Sequence, residues 1–167
     1  MKRLPLIGIA AASAIALVAA FAFTGNAQTG ERTIVLKESG RNQLFTIVDN
    51  PPLAKQRRDA PPAVSLGDQL VISNRLLDSA GNPAGRIEAV CTTVKPARAL
   101  GAGAVYLCTA VSHLSDGDLF LTTRLTPVDG PSDVRGALTG GTGAYLGARG
   151  DFTSIGEPST DTFHILP

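Results

Sequence analysis

Tryptophan is absent from the 167-residue sequence, and tyrosine and histidine occur twice each. With Tyr106 and Tyr145 as its only tyrosines, the chain lacks the aromatic platforms on which many carbohydrate-binding surfaces stack their sugars. His113 and His164 stand alone in the sequence. No His-Glu-x-x-His run and no Cys or His cluster at metal-ligand spacing accompanies them, so a metal centre has no support from the sequence. A Gly-x-Ser-x-Gly elbow is also missing, which removes the commonest sequence basis for serine hydrolysis. Charge is nearly balanced, with 15 basic against 14 acidic residues. There is no basic block and no interleaving of aromatics with Lys or Arg, so no nucleic-acid partner is expected. No organic cofactor is expected either: the one glycine-rich stretch lacks the Gly-Lys-Ser/Thr of a phosphate loop, and Leu146 stands where a dinucleotide fingerprint needs its third glycine.

The N-terminus carries Lys2-Arg3 and then an almost unbroken apolar run from Leu4 to Phe23, followed by Thr24-Gly25-Asn26-Ala27. A charged start, an apolar middle and a small-residue end describe a secretory signal peptide. Cleavage is expected after Ala27, which divides the chain into a signal peptide over 1–27 and one domain over 28–167. The competing reading is an uncleaved anchor, because the run is near the ~20 residues that span a bilayer. No cysteine follows the run, so lipidation there is excluded. The expected location is secreted, extracellular or periplasmic, with no membrane contact after cleavage.

Beyond the leader, helical periodicity gives way to short runs of Val, Ile, Thr, Leu and Phe punctuated by Gly, Pro, Asn and Asp, the pattern of an all-β domain. Strands are expected at 33–38, 43–49, 68–77, 86–95, 104–113, 118–125, 134–138, 148–155 and 160–166. Eight or nine short strands with close connections suggest a closed antiparallel barrel or a sandwich. The glycine-rich run from Leu138 to Gly150 then serves a hairpin, its glycines allowing tight turns and close backbone approach. The long connection from Asn50 to Gly67 carries Pro51-Pro52 and Pro61-Pro62, which forbid ladder hydrogen bonds. It reads as a mobile connection or a lid.

Two cysteines in an exported chain favour a disulfide. Folding the flanking strands about Ala99 and Leu100 sets Cys91 and Cys108 nearly opposite each other, as a cross-strand bond requires. Period-two phasing places Leu70, Ile72, Asn74 and Leu76 on one face, and Ile34, Leu36 and Glu38 on one face of the first strand. A carboxylate and an amide among apolar neighbours are costly unless partnered or useful. The plain alternatives are a wet Glu38 at its strand end and an Asn74 bonded to backbone.

The segments Gly67–Asn74, Gly85–Cys91 and Leu119–Leu125, and above all Ala137–Tyr145 with Gly147–Gly150, resemble the allene oxide cyclase and dirigent barrel superfamily, with this chain as a bacterial secreted member. The resemblance runs from about Gly67 to the C-terminus, and its last motif is the specific part. It implies an eight-stranded antiparallel closed β-barrel of calycin-like shape, an apolar lumen and a homodimeric or homotrimeric assembly. It further implies template chemistry, in which confinement supplies the orientation that lowers a barrier. Asn74 and Cys91 match pocket positions of the family and become ligand-binding candidates, while Glu38 is the candidate for its catalytic glutamate. The expected function is a secreted barrel that binds a small apolar molecule and directs a cyclisation or stereoselective coupling, an isomerase-type activity if it is an enzyme. The alternative is a non-catalytic structural or interaction barrel with a filled lumen. Lumen volume separates the two: Ala89, Ala110 and Ser112, if inward, leave room for a ligand, whereas small barrels normally fill with side chains.

Overall fold

A computed structural model describes residues 30–41, 43–51, 64–97, 103–126 and 133–167. The proposed signal peptide, most of the proline-rich connection and the turn at Ala99-Leu100 lie outside the described residues. The strands are β1 (Arg32–Glu38), β2 (Leu44–Val48), β3 (Gln69–Leu77), β4 (Pro83–Lys95), β5 (Val105–Leu114), β6 (Gly117–Leu125), β7 (Val134–Gly141), β8 (Arg149–Ile155) and β9 (Thr160–Leu166). All pairings are antiparallel, in the order β1-β9-β8-β7-β6-β5-β4-β3-β2, with β1 also paired to β3.

Those nine segments make an eight-stranded closed barrel because β1 and β2 behave as one broken strand. β1 pairs with β9 from Arg32 to Lys37 and touches β3 only at Lys37↔Leu77 and Glu38↔Leu76. After a short excursion the chain resumes along the same edge of β3, with Leu44↔Ser73 through Val48↔Gln69. The barrel is thus sealed at the end of β1. The Glu38 amide donates to the Ser159 carbonyl on one side of that seam, and the next residue, Ser39, donates to the Arg75 carbonyl on the other, both at 2.8 Å.

The glycine-rich run forms the expected hairpin of β7 and β8, with a feature its composition did not show. β7 continues to Gly141, and residues Gly143–Tyr145 form one 3₁₀ turn. Gly143 sits at φ +56°, and a Cβ on Gly141 would lie 2.4 Å from the Tyr145 carbonyl oxygen. Only glycine permits both the left-handed backbone and this approach. The turn thereby seats Tyr145 in the core.

Alternation along the strands gathers the apolar side chains inside in two clusters. Leu36, Leu76, Leu119, Leu121, Leu138, Tyr145, Phe152, Phe163 and Ile165 belong to the larger one, with the Phe152 and Phe163 rings 5.1 Å apart and tilted, a favourable aromatic geometry. The smaller cluster holds Val64, Leu70, Cys91, Ala104, Tyr106 and Cys108. Beside it, the carboxylate of Asp68 accepts from the Ser65 and Asn50 amides and the Ser65 hydroxyl, tying the two ends of the proline-rich connection together.

Candidate functional site in the lumen

Between the two clusters lies an open-mouthed cavity of about 100 Å³. That is smaller than the ~150 Å³ engineered cavity that accepts benzene, so a small ring or a short branched chain is the upper limit of what its enclosed part holds. Its walls are almost wholly apolar, from Ile72, Ile87, Leu125, Val134 and Phe152, together with Ala89, Ala110 and the paired cysteines. The room comes from two alanines in register: Ala89 and Ala110 are directly opposed on β4 and β5, with Ile72 facing Ala89 from β3. Of the three small residues expected to open the lumen, Ala89 and Ala110 line the cavity. Ser112 is inward and fully buried but lies outside the lining.

Cys91 and Cys108 are opposed residues of β4 and β5 and form a disulfide. This is the register expected from folding the flanking strands about Ala99 and Leu100, which themselves lie outside the described residues. Cys91 therefore faces the cavity as half of a disulfide rather than as a thiol.

The polar end of the lumen is built at the barrel seam. Glu38 is the last residue of β1 and projects inward among the cavity lining, as its phase with Ile34 and Leu36 requires. Asn74, inward on β3 and 3 % exposed, donates its side-chain amide to Glu38 Oε2. Of the two readings open for Asn74, an amide partnered by a side chain or one bonded to backbone, the side-chain contact is the one found. Burial raises the Glu38 pKa above its ordinary value, the Asn74 amide opposes that rise, and the nearby Glu157 charge adds to it.

A second carboxyl stands behind the first. Asp161 of β9 is opposite Leu36 on one side and Ser154 on the other, and it is 0 % exposed. Burial, then the charge of Glu38, push its pKa up to about 7, with the neighbouring Ser154 hydroxyl pulling the other way. Beyond the Ser154 hydroxyl, no donor among the described residues approaches the buried Asp161 carboxyl oxygens, and the Asn74 Oδ1 is buried without a hydrogen-bond partner. Ser154 lines the cavity beside Glu38; Asp161 does not reach the lining.

The sequence reading missed Asp161 and Ser154. The signal was available: Asp161, Phe163 and Ile165 alternate on β9, as Phe152 and Ser154 do on β8, and the phasing that selected Glu38 and Asn74 selects them as well. Among the described residues no group of three or more His, Cys, Asp or Glu side chains could hold a metal ion. No described helix is long and apolar enough to cross a membrane.

No protein-family model matches the sequence, and no curated protein matches it either. Solved structures do. A pyocyanin demethylase superposes with a TM-score of 0.57 at 18% sequence identity, over 81% of this chain and 100% of that one. AbnU, described as an exo-specific intermolecular Diels-Alderase, gives a TM-score of 0.50 at 13% identity, over 81% of this chain and 98% of that one. The chain shares its fold with these barrels.

Proposed function

We propose that the protein binds a small, predominantly apolar molecule in the barrel lumen and holds it in one orientation against Glu38. The observation that carries this reading is the cavity itself: opposed small residues, Ala89 and Ala110, leave space beneath a single polar end. A purely structural barrel would fill that space with side chains.

The same arrangement supports a directing role in a cyclisation or stereoselective coupling, the chemistry expected from the allene oxide cyclase and dirigent resemblance. Apolar walls fix the conformer, and a carboxyl whose pKa is raised by burial is better suited to giving up and taking back a proton than an ordinary exposed one. Glu38 is the group that would touch the reacting molecule. Asn74 orients it, and the Cys91–Cys108 disulfide gives the wall a rigid, polarisable face. The neighbours' names, a demethylase and a Diels-Alderase, both denote transformations of small organic molecules and are consistent with this use of the lumen. Export rests on the N-terminal segment and agrees with the disulfide, which persists in oxidising compartments.

The test is native mass spectrometry of the protein purified without reductant from its producing culture, with bound small molecules released and identified. A recurrent apolar ligand that disappears in Asn74→Leu supports the proposal. A barrel that is always empty and takes up no apolar probe overturns it in favour of a structural or interaction role.

A further inference from the structure

The barrel closes through a seam only two residue pairs long, and this leaves β2 with a neighbour on one side alone. β2 stands last in the sheet order, paired with β3 from Leu44↔Ser73 to Val48↔Gln69. β9 does not reach its other side: that strand begins at Thr160, opposite Lys37, and from there its edge is taken by β1. Among the described residues no backbone hydrogen bond reaches the second edge of β2. Backbone groups in an antiparallel ladder alternate between the two edges, so about every second residue of β2 turns its N–H and C=O to solvent. Proteins normally guard such an edge with charge, proline, a bulge or a covering segment. β2 reads Leu-Phe-Thr-Ile-Val, uncharged and without proline, and its register with β3 is unbroken. Its side chains are open as well: Leu44 is 62 %, Phe45 49 % and Val48 38 % exposed. Phe45 is opposite Ile72, a residue of the cavity wall, and so lies on the inward phase. Half its surface still meets water, because no strand follows β2 on that side.

We infer that β2 is a dimerisation edge, which pairs antiparallel with β2 of a second copy of this chain about a two-fold axis at Thr46. In a two-fold contact residue i meets j and j meets i. Centring the axis on Thr46 sets Thr46 opposite itself, Phe45 opposite Ile47 and Leu44 opposite Val48. Threonine with threonine, and aromatic with β-branched, are combinations that stabilise adjacent strands. Main-chain hydrogen bonds along the edge supply the attraction, and the side-chain pairs supply the register. Charge selects the antiparallel sense. The nearest charged residues beyond the strand are Arg41 on one side and Asp49 on the other. Antiparallel pairing brings the Arg41 end of each copy to the Asp49 end of the other, whereas parallel pairing sets like beside like. The chain itself offers a poorer occupant. The connection after β2 carries Pro51, Pro52, Pro61 and Pro62, with Lys55, Arg57, Arg58 and Asp59 between them. Proline cannot donate to a ladder, and those charges have no counterpart on an uncharged strand. A contact of five residues a side is small for a specific interface, so the dimer is a reversible one.

The test is sedimentation velocity of the purified protein over a concentration series, with Thr46→Lys and Thr46→Glu run separately and as an equimolar mixture. Thr46 is exposed and opposite Val71 on the outer phase of β3, so the barrel has room for either charge. At the two-fold axis each charge meets its own copy. The expected result is a concentration-dependent monomer–dimer equilibrium for the wild type and association weakened by about tenfold or more in each variant alone. The mixture is expected to recover the dimer, because the lysine of one copy then faces the glutamate of the other. A wild type that stays monomeric up to about 1 mM overturns the inference, and slow hydrogen exchange of the β2 amides in that monomer would name the proline-rich connection as the cover. A dimer that survives both single charges overturns it, as does a mixture that stays monomeric while both variants keep their β-sheet circular dichroism. Hydrogen exchange of the wild type needs no variant to fold. Protection of Leu44–Val48 is expected to rise with protein concentration, and exchange there that is indifferent to dimer formation overturns β2 as the contact.

Discussion

Asn74 and Glu38 meet across the seam that closes the barrel, the amide of one donating to the carboxylate of the other. The contact joins β1 to β3 at the only place where those strands pair. One interaction therefore serves closure of the sheet and orientation of the carboxyl that lines the cavity.

Replacing Asn74 by Leu removes a nearly isosteric donor and leaves the Glu38 carboxylate buried without it. The expected cost is about 1–3 kcal/mol in chemical denaturation, the penalty of an unsatisfied buried polar group. Glu38 should also titrate higher in Asn74→Leu than in the wild type, because burial then acts unopposed. Unchanged stability together with an unchanged Glu38 titration would show that the contact does neither job.

The fold and half of this site were legible in the sequence for a common physical reason. A two-residue period fixes which side chains point inward, and it needs no knowledge of the partners. That period alone puts Leu70, Ile72, Asn74 and Leu76 on one face, and the symmetry of a hairpin sets the Cys91–Cys108 register. The partnership of Glu38 with Asn74 was not legible as a bond. It depends on the break between β1 and β2, where residues between Glu38 and Leu44 let one strand leave β9 and continue along β3, and nothing local in Ser39-Gly40-Arg41 announces that exchange of neighbours. Asp161 was legible by phase but lay in a segment read only as a strand. The 3₁₀ turn at Gly143–Tyr145 was hidden by the many uses of glycine, since φ > 0 turns and close backbone approach have the same composition.

Asp161 predicts an unusual pH dependence of stability. Its folded pKa, about 7, lies above its ordinary value of 3.8, so between those values the folded chain holds a proton that the unfolded chain releases. Stability from this group is full at low pH, falls as pH rises through that window and is flat above it. Asp161→Asn should flatten the profile and make the protein more stable than wild type at pH 8, by at least ~1 kcal/mol or about 2–4 °C in Tm. Differential scanning calorimetry at pH 5 and pH 8 checks this. A variant less stable than wild type at pH 8 would contradict the buried, uncompensated carboxyl.

The disulfide should matter more to stability than to the shape of the cavity. It closes a loop with a sequence separation of 17 residues, for which chain-entropy reasoning gives roughly 3 kcal/mol. Cys91→Ala with Cys108→Ala should lower the urea midpoint accordingly while keeping the β-sheet circular dichroism and, because alanine is smaller, retaining probe uptake. Loss of uptake in a folded double variant would show that the sulfurs themselves contact the guest.

Filling the lumen separates binding from folding most directly. Ala110 faces Ala89 across the β4–β5 pair, and both methyl groups line the cavity. Ala110→Leu adds three carbons to the cavity wall, and the added side chain has space to occupy before it strains its neighbours. The expected cost is therefore at the low end of the ~1–3 kcal/mol typical of overpacking. Uptake of an apolar probe should fall by more than about tenfold, because the leucine occupies the volume the guest needs. Ala137→Leu, at an exposed, outward-facing position of β7, adds the same carbons outside the barrel and should leave uptake unchanged. Equal losses from both substitutions would mean that the probe does not bind in the lumen, whereas loss from Ala110→Leu alone places it against the Ala89–Ala110 pair.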